Sequence, residues 1–181
     1  MIKINLFNFY IFLEKINSSI EKNILSLKKK IVIINCTLNN KNFQQFYSII
    51  KFLKKNRINF FVKDDYKVAI RYKADGLFLS SNNKSFKTNF FVKRNFKIIG
   101  ASHNQFEYYI KKKQGCDLIT LSPVFYNKKY SINKILSPIK FNLLTLHWNC
   151  NLCALGGVNR NNINKILSTK TRNVGVKSFI E

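Results

Sequence analysis

Short apolar runs recur along the chain, and the stretches between them carry apolar residues three or four positions apart. The runs are FYIFL (9–13), KIVIIN (30–35), INFFVK (58–63), GLFLS (76–80), FKIIGAS (96–102), DLITLSPVF (117–125), LCALGG (152–157) and VGVKSFI (174–180). Their length and β-branched or aromatic content predict strands. Between them, Ile16, Ile20, Ile24 and Leu27 are spaced for a helix, and FQQFYSIIKFLKK (43–55) reads as an amphipathic one. VAIRYKA (68–74) predicts a short helix, and QFEYYIKKKQG (105–115) one that stops at Gly115. INKILSPIKFNLL (132–144) reads as a broken helix, and NRNNINKIL (159–167) as a helix with an Asn cap.

Continuous apolar runs, rather than strict alternation, mark strands covered on both faces of a parallel sheet. Eight strands alternating with helices predict a compact TIM (β/α)8 barrel in one domain over residues 1–181. Such barrels usually take ~250 residues. The pattern stops after the eighth strand, so the final helix is expected to be lacking. The apolar outer face of that strand then needs cover, from the first helix or from a second copy of the chain in a homodimer. An open doubly wound sheet is the competing fold, but no G-x-G-x-x-G follows the first strand.

Hydrophobic residues make up 46% of the chain, which excludes a disordered class. No apolar run approaches the ~20 residues of a membrane span, and LFNFYIFL (6–13) reads as a strand, not a signal peptide. The formal charge of +24 raises nucleic-acid binding as a reading. The lysines are dispersed, however, and the runs 28–30, 54–55 and 111–113 fall at ends of helical segments, where solvated cations suit the helix dipole. A general bias toward Lys, Asn, Ile and Phe accounts for this better, and a basic surface still favours a phosphorylated small molecule. The four cysteines are expected as free thiols of a cytoplasmic protein. His147, Cys150 and Cys153 have metal-like spacing, but a closed site needs a fourth ligand, so ordinary packing is the reading.

In a barrel of this kind, chemistry sits at the C-terminal strand ends. Those positions hold Asn35, Cys36 and Thr37; Lys63, Asp64 and Asp65; Ser80 to Asn83; Ser102, His103 and Asn104; Ser122 with Asn127, Lys128 and Lys129; Gly156 and Gly157; and Lys177 and Ser178. The glycine pair lets backbone N–H groups approach a phosphate, and Asn127, Lys128 and Lys129 offer polar and cationic contacts at the rim. Asp64 and Asp65 form the one plausible carboxylate site for a hard cation, or else cap the next helix.

The ordered segments VKDDYKVAIRYKADGLFLSSNN, IIGASHN, GCDLITLSPVF, ALGGVN and VGVKSFI resemble the thiamine phosphate synthase/TenI family over roughly residues 8–180. The resemblance implies a TIM barrel, often dimeric. It also implies a Mg2+-dependent transferase of thiamine biosynthesis, joining a hydroxymethylpyrimidine diphosphate to a thiazole phosphate and releasing pyrophosphate. TenI-like members instead isomerise the thiazole phosphate, with a histidine as proton shuttle; a degenerate barrel that binds a phosphorylated ligand without turnover is a third reading. By resemblance, Asp64 falls on one Mg2+ ligand and Asn83 on the second, where the family has Asp. Ser102 falls on a pyrophosphate contact, and Gly156, Gly157, Lys177 and Ser178 on the thiazole-phosphate end. His103 resembles the TenI histidine. The family's basic diphosphate contacts after the second strand are absent at Ile33 to Thr37, its Asn before the Mg2+ ligand is Lys63, and its lysine after the sixth strand is Tyr130, with Lys128 and Lys129 beside it.

Overall fold

The computed structural model describes residues 4–36, 38, 42–87, 96–128, 130–177 and 179. Eight parallel strands close into a barrel: β1 (Asn8–Leu13), β2 (Lys30–Ile34), β3 (Phe60–Lys63), β4 (Gly76–Leu79), β5 (Lys97–Ser102), β6 (Leu118–Leu121), β7 (Asn151–Leu155) and β8 (Asn173–Val176). The seam pairs β8 with β1 from Asn8↔Asn173 to Ile11↔Val176. Outside run α1 (Ser18–Ser26), α2 (Phe43–Lys55), α3 (Tyr66–Arg71), α4 (Gln105–Lys113) and α5 (Ser137–Leu144). The (β/α)8 expectation holds, and no α-helix follows β8 among the described residues.

Two apolar cores follow from the strand period of two. Tyr10, Phe12, Ile33, Phe61, Phe78, Ile99, Leu118 and Cys153 fill the barrel interior. Ile11, Val32, Ile34, Val62, Leu79 and Val176 point outward onto the helices, where Phe46, Ile49 and Leu53 of α2 meet them. The outer face of β8 is not bare: Val174 and Val176 are buried, in the same cluster as Phe7 and Phe179, and Phe179 packs on Phe9 with ring centroids 5.3 Å apart. The expected cover for this face thus comes from within the chain, Ile20 and Ile24 of α1 included, and no second copy is needed to bury it.

Side chains close the strand and helix starts. Asp75 accepts from Phe60 N (2.8 Å) and Asp117 from Ile98 N (2.7 Å), so a carboxylate before one strand satisfies an amide in the first two residues of the strand before it. Asn17, Asp65 and Asn104 cap α1, α3 and α4. The cap at Asp65 starts α3 two residues earlier than its apolar pattern suggests. The expected Asn-capped helix before β8 is a 3-10 helix, Ile163–Ser168, because Asn159 and Asn162 spend their side chains on a local turn.

Replacing Asp117 with Ala strands a backbone amide at the foot of β5. It should cost about 1–3 kcal/mol, seen as a lower urea midpoint at unchanged slope, with Asp117→Asn recovering part of the loss.

Candidate functional site

The inward register does not stop where the strands end. Two residues beyond an inward position lies another one, and these are Glu14 (β1), Asn35 (β2), Lys63 (β3), Ser80 (β4), His103 (β5), Ser122 (β6) and Lys177 (β8). All seven line one cleft of about 720 Å3 at the C-terminal mouth of the barrel. Its floor is apolar, with Phe12 and Phe78 edge to face at 5.1 Å. Tyr126, Asn127, Lys128 and Tyr130 from the loop after β6 form one wall, and Gly156 and Gly157 after β7 another.

Of the residues expected from sequence, His103, Asn127, Lys128, Gly156, Gly157 and Lys177 come together here. Ser102 stands apart. It faces the helix layer, fully buried, with its hydroxyl on Thr120 O at 3.4 Å. Asp64 lies outside the cleft lining, exposed at the rim. Lys129, Ser178 and Thr37 lie outside the described residues.

His103 enters from the capped start of α4, where Glu107 accepts its backbone N–H at 2.7 Å. Its Nδ1 sits 2.8 Å from Ser122 O and 3.1 Å from Ser122 Oγ. A carbonyl only accepts, so Nδ1 carries the hydrogen and Nε2 keeps the lone pair of the neutral ring. Tyr130 flanks the ring, with centroids 5.6 Å apart.

Lys177 forms an ion pair with Glu14 at 2.8 Å, and Asn35 holds the other carboxylate oxygen at 2.9 Å. Both charged side chains are about two-fifths exposed (41% and 43%), so the pair orients more than it stabilises. Glu14 and Asn35 were not singled out from sequence for this clasp; counting two residues past Phe12 and Ile33 would have found them.

Gly156 and Gly157 have φ of +91° and +70°. A Cβ on Gly157 would lie 2.3 Å from Tyr126 O and 2.6 Å from Phe125 O. The loops after β6 and β7 are joined at that point by Phe125 N to Gly156 O at 3.0 Å. The pair therefore does more than turn the chain: it lets two loops close on each other at the rim.

A family model, thiamine monophosphate synthase, matches residues 14–180. The chain belongs to this family. Two curated relatives are thiamine-phosphate synthases of Prochlorococcus marinus, 28% identical over 162 residues, and of its subspecies pastoris, 30% identical over 138 residues. These alignments cover 87% and 76% of this chain but 47% and 39% of the relatives, so the chain spans about half the length of the proteins it matches. Among solved structures, the thiamine phosphate pyrophosphorylase of Pyrococcus furiosus superposes with a TM-score of 0.74 at 18% identity, covering 96% of this chain and 87% of that one. The one from Bacteroides thetaiotaomicron gives 0.60 at 13%, covering 95% and 83%. At these identities the structures bear on the fold alone.

The residues at the family's Mg2+ position do not fit the ion. Ser85 N donates to Asn83 Oδ1 at 3.1 Å, which orients the amide so that Nδ2 donates to Asp64 Oδ1 at 2.9 Å. Ser80 N donates to the same oxygen at 2.9 Å. A hard cation needs converging oxygens, and here an N–H group faces the carboxylate. Among the described residues no three His, Cys, Asp or Glu side chains gather for a metal. That includes His147, exposed, and Cys153, inside the barrel, where burial pushes its thiol up.

The sequence reading of Lys111 as solvated is overturned: it is fully buried under the β4 loop. Burial draws its pKa down, opposed by Cys116, Asp64 and Glu107.

Gly157→Ala should destabilise the fold by about 2–4 kcal/mol, from a left-handed backbone plus a clash with backbone oxygen. Chemical denaturation would measure it, and a neutral result would show that the two loops separate freely.

Proposed function

We propose that this chain is a cytoplasmic transferase of thiamine biosynthesis that joins a hydroxymethylpyrimidine diphosphate to a thiazole phosphate. The observation that carries the reading is the single mouth: an aromatic floor under a rim of glycine backbone and lysine. Phe12 and Phe78 suit planar heteroaromatic rings. Gly156 and Gly157, with Lys177 nearby, suit a monophosphate. Lys63 and Lys128 supply positive charge for a diphosphate, on which negative charge builds as it leaves. Glu14 and Asn35 hold Lys177 in place until an anion competes for it. Four free thiols suit a reducing compartment.

The reading is tested by incubating the protein with both substrates and following thiamine phosphate and pyrophosphate by chromatography. Both should form in equal amounts. Saturating substrates with no product would sink the transferase reading.

One observation favours a second reading, TenI-like isomerisation of a thiazole phosphate. His103 lines the mouth, and Ser122 O holds the hydrogen on Nδ1, so that in the neutral ring the lone pair lies on Nε2. If that ring moves the proton, His103→Ala should slow isomerisation by about 10²-fold or more. Unchanged isomerisation in that variant would remove His103 from the chemistry.

A further inference from the structure

Lys111 occupies a place in the helix layer where an apolar side chain would ordinarily pack. Its stem lies against Gly100, where an added Cβ would meet Lys111 Cγ and Cδ at 2.9 Å. Its ammonium makes three hydrogen bonds, one for each proton: to Ser80 O (2.6 Å), Asn83 O (2.7 Å) and Gln114 Oε1 (3.0 Å). Gln114, also fully buried, turns its Nε2 onto Asn83 O (3.0 Å) and Ser85 O (2.8 Å). A buried cation is tolerated only when so satisfied. The loop from Ser80 to Ser85 is therefore gripped from behind by Lys111 and Gln114. On its front, Ser80 N and Asn83 Nδ2 close onto Asp64 Oδ1.

We infer that Asp64 and Asn83 form a metal-free latch braced by Lys111, and that this chain holds a diphosphate-class anion on Lys63 and Lys128 with no divalent cation at that corner. One carboxylate oxygen accepts from two N–H donors there, the amide of Asn83 turns nitrogen rather than oxygen toward it, and a fixed ammonium stands one backbone carbonyl behind Asn83. A second cation at that corner would meet a charge already in place. Lys63, next to Asp64, carries its own charge into the cleft. The inference rests on the mouth being a phosphate site, and not on which reaction follows.

The test uses the full chain with inorganic pyrophosphate and with Mg2+ alone. In EDTA, calorimetry should show pyrophosphate binding with a Kd within about twofold of that in Mg2+ at the same free pyrophosphate. Lys63→Ala should weaken it about tenfold, the loss of one charge-assisted contact. Mg2+ alone should leave the melting temperature of the natural chain unchanged and raise that of Asn83→Asp, which restores a second carboxylate. Lys111→Met should speed amide exchange in residues 80–85, and Gln114→Leu reads the same brace if that variant does not fold. Three results would overturn the inference: pyrophosphate binding only with Mg2+, no binding in either condition, or a Mg2+-induced shift in the natural chain that Asp64→Asn abolishes. Pyrophosphate binding without thiamine phosphate formation would instead count against the transferase reading and leave this one standing.

Discussion

The closed parallel register, with side chains alternating between two cores, is the constraint on which the rest depends. Once β8 pairs with β1, every strand has one face in the barrel and one under the helices. The same alternation carries on through the C-terminal ends of seven strands and lifts seven polar side chains to the mouth. A slip of one residue in any strand would exchange its inward and outward sets. It would turn Lys63 or His103 into the helix layer and take its charge or ring nitrogen out of the mouth. The site is thus a by-product of the packing that stabilises the fold.

The loop after β4 shows how a buried charge can be used for geometry. Removing an ammonium from water is costly, and three acceptors offset that cost only if they stay in place. Lys111 therefore fixes the backbone at Ser80 and Asn83 as firmly as it is itself satisfied. Gly100 leaves the space its stem needs. Position 111 thereby sets the geometry of position 83, which in turn orients an amide toward Asp64.

Charge at the mouth is unevenly distributed. On the β8–β1–β2 side, Glu14 neutralises Lys177 and Asn35 steadies the pair. On the β3 and β6 side, Lys63 and Lys128 reach the cleft. An anion on the glycine side competes with Glu14 for an ammonium, whereas one on the β3 side meets lysine charge beside a carboxylate with one oxygen held by two N–H groups. The two halves of the mouth accordingly differ in what they ask of a ligand.

The sequence alone determined the eight strands, their parallel arrangement, the position of α2 and the family, because apolar runs and their spacing are local and strong. Gly115 was legible as the stop of α4, and the carboxylate of Asp117 two residues on proved to close the foot of β5. That the glycine pair, His103, Asn127 and Lys128 would lie at the mouth was legible because they follow strands directly. Tertiary structure decided the rest. Lys111 looks like any lysine in a basic run, and its burial depends on Gly100 lying beneath it and on acceptors 28 and 31 residues away. Ser102 reads as a mouth residue, but its parity sends it outward. Glu14 and Lys177 stand 163 positions apart, and only closure of the barrel brings them together. Pairings across such distances are set by three-dimensional register, which no local pattern of residues encodes.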